Sequence, residues 1–298
     1  MKTALHRPSN RIRQSRSDKV FHTINVCLCL LIILCIAYPL YFVVIASISD
    51  PDLVASGHVW LWPRNITWSA YEKLFSTASV WTGYLNTILY TIGFTVVSLL
   101  VTMPAAYALS RKDFPLRGLF MIFFLIPMFL DGGMITKYLQ MKNLGLLDTY
   151  WAMVLPTAAN VFNLIIARTY YATQIPQELQ DAAELDGCGD FRFFVKIVIP
   201  LTATIIAIIA LYAAVESWNS YMNALVYLES PEKRPLQLIL RSILIENQLS
   251  ATTIAQAAKQ AQLLKYSLVV VSSLPIMCVY PFIQKYFTKG VMIGSLKG

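Results

Sequence analysis

From Thr23 to Ser49, and again from Tyr84 to Leu109, the chain carries no Asp, Glu, Lys or Arg. Nothing else in the sequence constrains the fold as strongly. A helix needs roughly 20 predominantly apolar residues to cross a bilayer core, and both runs exceed that. Four more stretches, 119–136, 151–172, 198–225 and 264–286, are rich enough in apolar residues to join 23–48 and 84–109 as six expected spans. Polar groups interrupt the two centred near 127 and 161. Composition agrees, with 57% hydrophobic and only 13% charged residues, and a mean hydropathy of +0.57. A soluble domain ordinarily carries about 25% charged residues. The expected fold class is an all-α integral membrane protein with one membrane domain of six transmembrane helices.

Charge sets the expected topology. Lys2, Arg7, Arg11, Arg13, Arg16 and Lys19 precede the first span, against Asp18 alone. Arg111, Lys112 and Arg117 lie between spans two and three, and Lys285, Lys289 and Lys297 follow the sixth. Cationic loops stay on the cytoplasmic side, so both termini are expected inside. A basic arm also suits nucleic acid, but the topology signal accounts for it and no nucleic-acid partner is expected. The first apolar run is too long for the h-region of a signal peptide and no clear A-x-A site follows. It reads as a retained signal-anchor. The organisation expected is a basic arm at 1–20, a first helix and extracytoplasmic loop at 21–83, a core membrane domain at 84–286 and a cytoplasmic tail at 287–298. Trp60, Trp62 and Trp68 in the outer loop have the character of an interfacial aromatic belt.

Polar residues inside apolar spans are functional hypotheses by default. Asn86, Asn160, Asn163, Glu216, Asn219 and Asn223 either line a polar path or cross-link helices, and Glu216 is either a gate or a membrane-edge residue. Asp131-Gly132-Gly133 reads as a loop at a broken span end. Three scattered histidines and no C-x-x-C pair leave no metal site in prospect, and Cys188 is expected cytoplasmic and reduced. No catalytic constellation and no G-x-x-x-x-G-K-[ST] phosphate loop appear.

Residues 176–200 differ from the other inner loops in being acidic, with Glu178, Asp181, Glu184, Asp186 and Asp190 against Arg192 and Lys196. Two short helices with a bend are expected. Pro176 suits a first helical position, and Glu178 and Asp181 suit a first turn. Ala182 and Ala183 offer a surface for close packing. Gly187 stops the helix where positive φ is needed. Gly189 and Asp190 start the second helix, whose Phe191, Phe194 and Val195 share a face. That face either docks a partner or packs on the chain's own span ends.

This segment resembles the cytoplasmic "EAA" loop of permeases of ABC-type importers, E-A-A-x3-G-x9-I-x-L-P. The chain has Asp181-Ala182-Ala183, Gly187 and Ile197-Val198-Ile199-Pro200 at the same spacing. Asp181 stands for Glu and Ile199 for Leu. The ending Gln284 to Gly298, with Gly290, Gly294, Lys297 and Gly298, is similar to the tail of the MalG-like carbohydrate family. Tyr38-Pro39-Leu40-Tyr41-Phe42, Ile48-Ser49-Asp50-Pro51 and Val59-Trp60-Leu61-Trp62-Pro63 resemble its LplC/YtcP-like branch.

The resemblance implies a type I ABC importer permease fold and a non-catalytic subunit. In it, Asp181, Ala182, Ala183, Asp186, Gly187, Phe191, Phe194, Ile197 and Pro200 would couple to an ATPase, and the tail would reach between two ATPases. Implied partners are a second permease, two ATPase copies, an extracytoplasmic solute-binding protein, membrane lipid and a carbohydrate, expected to be an oligosaccharide. ATP and Mg would be bound by the ATPases, with no cofactor in this chain. The alternative is an ion-coupled secondary transporter. Such folds often show internal repeats and midplane charges; here no repeat is evident and such charges are few.

Overall fold

A computed structural model describes residues 15–249, 264–281 and 284. Its described chain divides into two compact units at the Thr67/Trp68 junction.

The first unit is built on α1 (Arg16–Ser47) and α2 (Pro51–Ala55). Ser15 and Asp18 form a reciprocal capping box at the start of α1, which satisfies amides that a helix start leaves unpaired. Helix therefore begins in the basic arm, several residues before the expected span. Pro39 lies inside α1 without ending it, and the side chains of α1 are exposed over most of its length. The amides of Asp50 and Thr67 donate to the carbonyls of Arg64 and Ile48 at 3.0 and 2.9 Å. They close the loop that carries Trp60 and Trp62, whose rings are exposed.

The second unit contains α3 (Ser69–Ser76), α4 (Ala78–Ser110), α5 (Arg117–Phe129), α6 (Gly133–Asn143), α7 (Trp151–Val154) and α8 (Val161–Gln174). After these come α9 (Gln177–Leu185), α10 (Asp190–Phe193), a π-helical turn at Phe194–Val198, α11 (Ile199–Leu201), α12 (Ala203–Trp218) and α13 (Tyr221–Tyr227). The last two are α14 (Leu236–Leu249) and α15 (Leu264–Pro281). No strand occurs among the described residues. The long α4 is the axis on which α8, α12 and α14 pack. Its buried residues include Gly83, Thr87, Ser98, Thr102 and Ala106, small side chains that let helix backbones approach in a membrane.

The six-span expectation is only partly met. Among the described residues, α1, α4 and α15 are long and apolar enough to cross a bilayer, and two bent pairs bring the number to five. The expected span 119–136 is α5 followed by α6 at 114°. Pro127 lies near the end of α5, and at the break Asp131 Oδ1 accepts from the Gly133 amide at 3.0 Å while Gly133 holds φ +75°. The expected span 198–225 is α12, joined to the preceding helical stretch at 82° and separated from α13 at Asn219–Ser220. The expected span 151–172 is not one helix. It breaks between Val154 and Val161, where Thr157 has φ +64°. α8 has 14 residues, about 21 Å of rise, which is short of a bilayer core.

The stretch after Glu229 is built into the core at the start of α14. Leu236, Leu238, Ile239 and Leu240 of α14 are buried. Leu236, Ile239 and Leu240 join a core with Val80, Trp218, Leu264, Leu268 and Val271. The loop before α14 is tied to α4: Asn86 Nδ2 donates to the carbonyls of Glu232 and Arg234 at 2.6 and 3.1 Å. Tyr90 Oη donates to the Lys233 carbonyl at 2.8 Å.

Candidate functional site

The EAA-like segment folds as two short helices with a bend. Pro176 is the residue before α9, so Gln177 and not Pro176 opens it. α9 ends at Leu185, with Asp186 as its cap. The Gly187 amide donates to the Glu184 carbonyl and the Cys188 amide to the Ala183 carbonyl, both at 2.9 Å. That pair of bonds is a Schellman closure, which requires the residue after the cap to be left-handed; Gly187 has φ +74°. Gly189 then precedes Asp190–Phe193. The π-helical turn and α11 carry the chain through Ile197 and Pro200 into α12.

The inner face of this segment is part of the membrane core. Ala183, Phe193, Phe194 and Val198 cluster with Met103, Ala106 and Tyr107 of α4, Leu164, Ala167 and Tyr171 of α8, and Ile205 and Ile209 of α12. The Phe194 ring lies 5.1 Å from that of Tyr107. Phe194 is thus buried against this core rather than offered to a partner. Ile197 is half-buried against the same core. Phe191 is 81% exposed and Leu185 90%. Asp181, Ala182, Asp186, Gly187 and Pro200 are also exposed. Two large apolar side chains standing out beside carboxylates have the character of an interface. Leu185 was not among the expected coupling residues; as the last residue of an acidic helix it carries no periodic signal.

Asp181 is held from behind. The Arg111 guanidinium, in the turn after α4, donates to Gln177 Oε1, and Gln177 Nε2 donates to Asp181 Oδ1 at 3.2 Å. Arg111 is only 8% exposed and also approaches Asp113 at 3.8 Å. Nearby, Arg168 Nε donates to the Leu109 carbonyl at 3.1 Å, which covers a carbonyl that the end of α4 leaves unpaired.

The expected path residues scatter. Both Asn86 contacts are to backbone carbonyls of the loop before α14, the contact pattern of the cross-linking alternative. Asn163 is 2% exposed and packs inside the bundle. The Asn219 amide returns to the Val215 carbonyl of its own helix at 2.9 Å, and Asn223 is half-buried on α13. Asn160 and Glu216 do come together. Asn160 caps α8 by accepting from the Asn163 amide at 3.2 Å, and its Nδ2 donates to Glu216 Oε2 at 3.3 Å. Both line an open cleft of about 500 Å³ beside the α5–α6 break.

The tail residues Gly290, Gly294, Lys297 and Gly298 lie outside the described residues. Among the described residues no cluster of His, Cys, Asp and Glu has the make-up of a metal site.

Residues 75–293 match the family model described as "Binding-protein-dependent transport system inner membrane component". Protein LplC of Bacillus subtilis (strain 168) is 39% identical over 263 residues, 87% of this chain and 89% of its own length. The polygalacturonan/rhamnogalacturonan transport system permease protein YtcP of the same organism is also 39% identical, over 87% of this chain and 92% of its own. A chain in the crystal structure of a bacterial ABC transporter involved in the import of the acidic polysaccharide alginate superposes with a TM-score of 0.78. It is 34% identical, over 93% of this chain and 99% of its own. A family match over most of the chain, two relatives near 40% identity and a shared fold converge, and the chain belongs to the inner membrane components of binding-protein-dependent transport systems.

Proposed function

We propose that this chain is one permease subunit of an ABC importer for an oligosaccharide, working with a second permease, two ATPase subunits and an extracytoplasmic solute-binding protein. The observation that carries the coupling role is the two-sided character of residues 176–200. The outer face, with Asp181, Ala182, Leu185, Asp186 and Phe191, is exposed, while the inner face is built into the core of α4, α8 and α12. A partner that pulls on the outer face therefore moves the helices that pack around α4. ATP and Mg belong to the partner ATPases in this reading, and the chain itself holds no cofactor and performs no catalysis. Both termini are cytoplasmic, and the tail with Gly290, Gly294, Lys297 and Gly298 reaches toward the ATPases.

The substrate class is supported by the names of relatives. Besides those above, the arabinooligosaccharides transport system permease protein AraQ of Halalkalibacterium halodurans is 29% identical over 88% of this chain. Asn160 and Glu216 are the path residues that the geometry favours, because they alone of the six line the polar cleft.

The test is reconstitution of the assembled complex in liposomes. ATP hydrolysis and uptake are measured with oligosaccharides of polygalacturonan, rhamnogalacturonan and arabinan. ATP-dependent uptake that requires the binding protein is the expected result. Uptake driven by an ion gradient without ATPase subunits would overturn it.

A further inference from the structure

The polar cleft beside the α5–α6 break has chemistry that the coupling role does not use. Asp131 and Lys137 stand on one wall and Asn160 and Glu216 on another, with Thr136 and Gln140 between. Thr136 and Gln140 are four residues apart on α6 and so share a face. Phe162, 55% exposed, lies at the same cleft.

What matters is which valences are already taken. Lys137 Nζ lies 2.9 Å from Asp131 Oδ1 and 3.0 Å from Oδ2, so the cleft's cation is neutralised. Two helices, α6 and α8, begin at this cleft, and helix N-termini favour anions. Here Asp131 already occupies the first amide of α6, and the Asn160 carbonyl oxygen already caps α8. Glu216 adds a carboxylate that no lysine or arginine pairs among the described residues. A carboxylate-bearing ligand would meet net negative charge and no free cation. A hydroxyl group fits, because it donates to a carboxylate and accepts from an amide or ammonium at the same oxygen. The volume lies within the range of small-molecule sites, and an exposed aromatic ring offers a face to the C–H side of a pyranose.

We propose that this cleft is a binding subsite for a neutral, hydroxyl-bearing saccharide unit, with Asp131, Lys137, Gln140, Asn160 and Glu216 as its hydrogen-bonding groups. The inference rests on the reading of the chain as an oligosaccharide permease. It adds the place of contact and a preference for an uncharged unit there, even when the whole oligosaccharide is acidic.

The experiment uses the complete complex in detergent without its binding protein, so that the permease alone is probed. Calorimetric titrations compare raffinose with trigalacturonate. Raffinose is expected to bind and trigalacturonate to bind at least about 10-fold more weakly. Asp131→Asn, which frees Lys137, is expected to reverse that order, and Gln140→Ala to weaken raffinose binding severalfold. Co-purification of the ATPases checks that each variant has folded. A wild-type complex that prefers trigalacturonate or binds neither sugar would overturn the subsite. So would affinities unchanged in both variants. If liposome uptake of oligosaccharide proceeds normally in that case, the permease reading stands and only the subsite falls; if no oligosaccharide is taken up by the wild type, the permease reading itself fails.

Discussion

Lys233 Nζ lies 2.7 Å from Asp148 Oδ2, joining the turn before α7 to the loop before α14. Asp148 also accepts from the amides of Glu229 and Ser230 at 3.1 and 3.0 Å and from the Ser230 hydroxyl at 2.5 Å. The Lys233 hydrogen bond and the Ser230 donors hold its carboxyl far below the usual carboxylate range. The backbone here has φ +54°, a region that Asn and Asp tolerate better than most residues.

Asp148→Asn therefore isolates the charge, and Asp148→Ala removes the bonds and adds backbone strain. The alanine variant is expected to lose about 2 kcal/mol, the scale of charged hydrogen bonds, and the asparagine variant less. Thermal unfolding of the purified complex in detergent checks the order. The pH dependence has a definite sign. A depressed folded-state pKa means that the contribution is complete above the unfolded value, about 3.9. It is lost as pH falls from there toward the folded value. Stability below about pH 4 should thus fall more steeply in the wild type than in Asp148→Asn. Equal slopes would show that this carboxylate does not anchor the loop.

Gly187→Val separates folding from coupling. A Cβ at this position would meet nothing within 4 Å, so the cost is confined to the left-handed backbone, roughly 1–2 kcal/mol. Expression and membrane insertion are expected to persist. Uptake and substrate-stimulated ATP hydrolysis are expected to fall, because the Schellman closure aims the exposed face. Gly187→Asn should be milder. Full coupling in the valine variant would detach this bend from energy transfer.

Substitutions at three positions, two aromatic and one acidic, divide the segment's two faces. Phe191→Ala removes an exposed ring and should leave thermal stability nearly unchanged while weakening co-purification of the ATPase subunits. Phe194→Ala empties a core position and should cost about 3–5 kcal/mol. Asp181→Lys should uncouple hydrolysis from uptake, whereas Asp181→Glu should be tolerated. An unstable Phe191→Ala or a stable Phe194→Ala would reverse the assignment of faces.

Topology can be read by labelling single cysteines in intact cells: the native Cys188, or one introduced at position 57 or 110 once Cys188 is replaced. Positions 110 and 188 should react only after permeabilisation, and position 57 from outside. The native Cys27, Cys29, Cys35 and Cys278 are exposed in the isolated chain and are replaced first. Labelling of position 188 from outside would place the EAA-like loop on the wrong side of the membrane for an ATPase.

The membrane character of the chain follows from its sequence because burial of apolar helix in lipid depends on length and composition alone. That is why α1 and α4 match the charge-free runs at 23–49 and 84–109. The EAA-like loop was legible for a related reason. A left-handed turn needs glycine at a set distance from the helix it ends, so Gly187 and the residues around it carry a local signature.

Tertiary structure decided what local pattern leaves open. Phe191 and Phe194 are three residues apart and look alike in sequence, yet Phe194 packs on Tyr107 in the core and Phe191 stands exposed. Asn86 and Asn160 are both asparagines at apolar span ends. One meets carbonyls near residue 233, and the other meets Glu216, 56 residues away. Neither partner is signalled by spacing. The break near Gly133 is closed by a local bond to Asp131, whereas Asn160 also reaches Glu216 across the fold, and the two breaks build the cleft that a hydropathy profile reads as two weak spans.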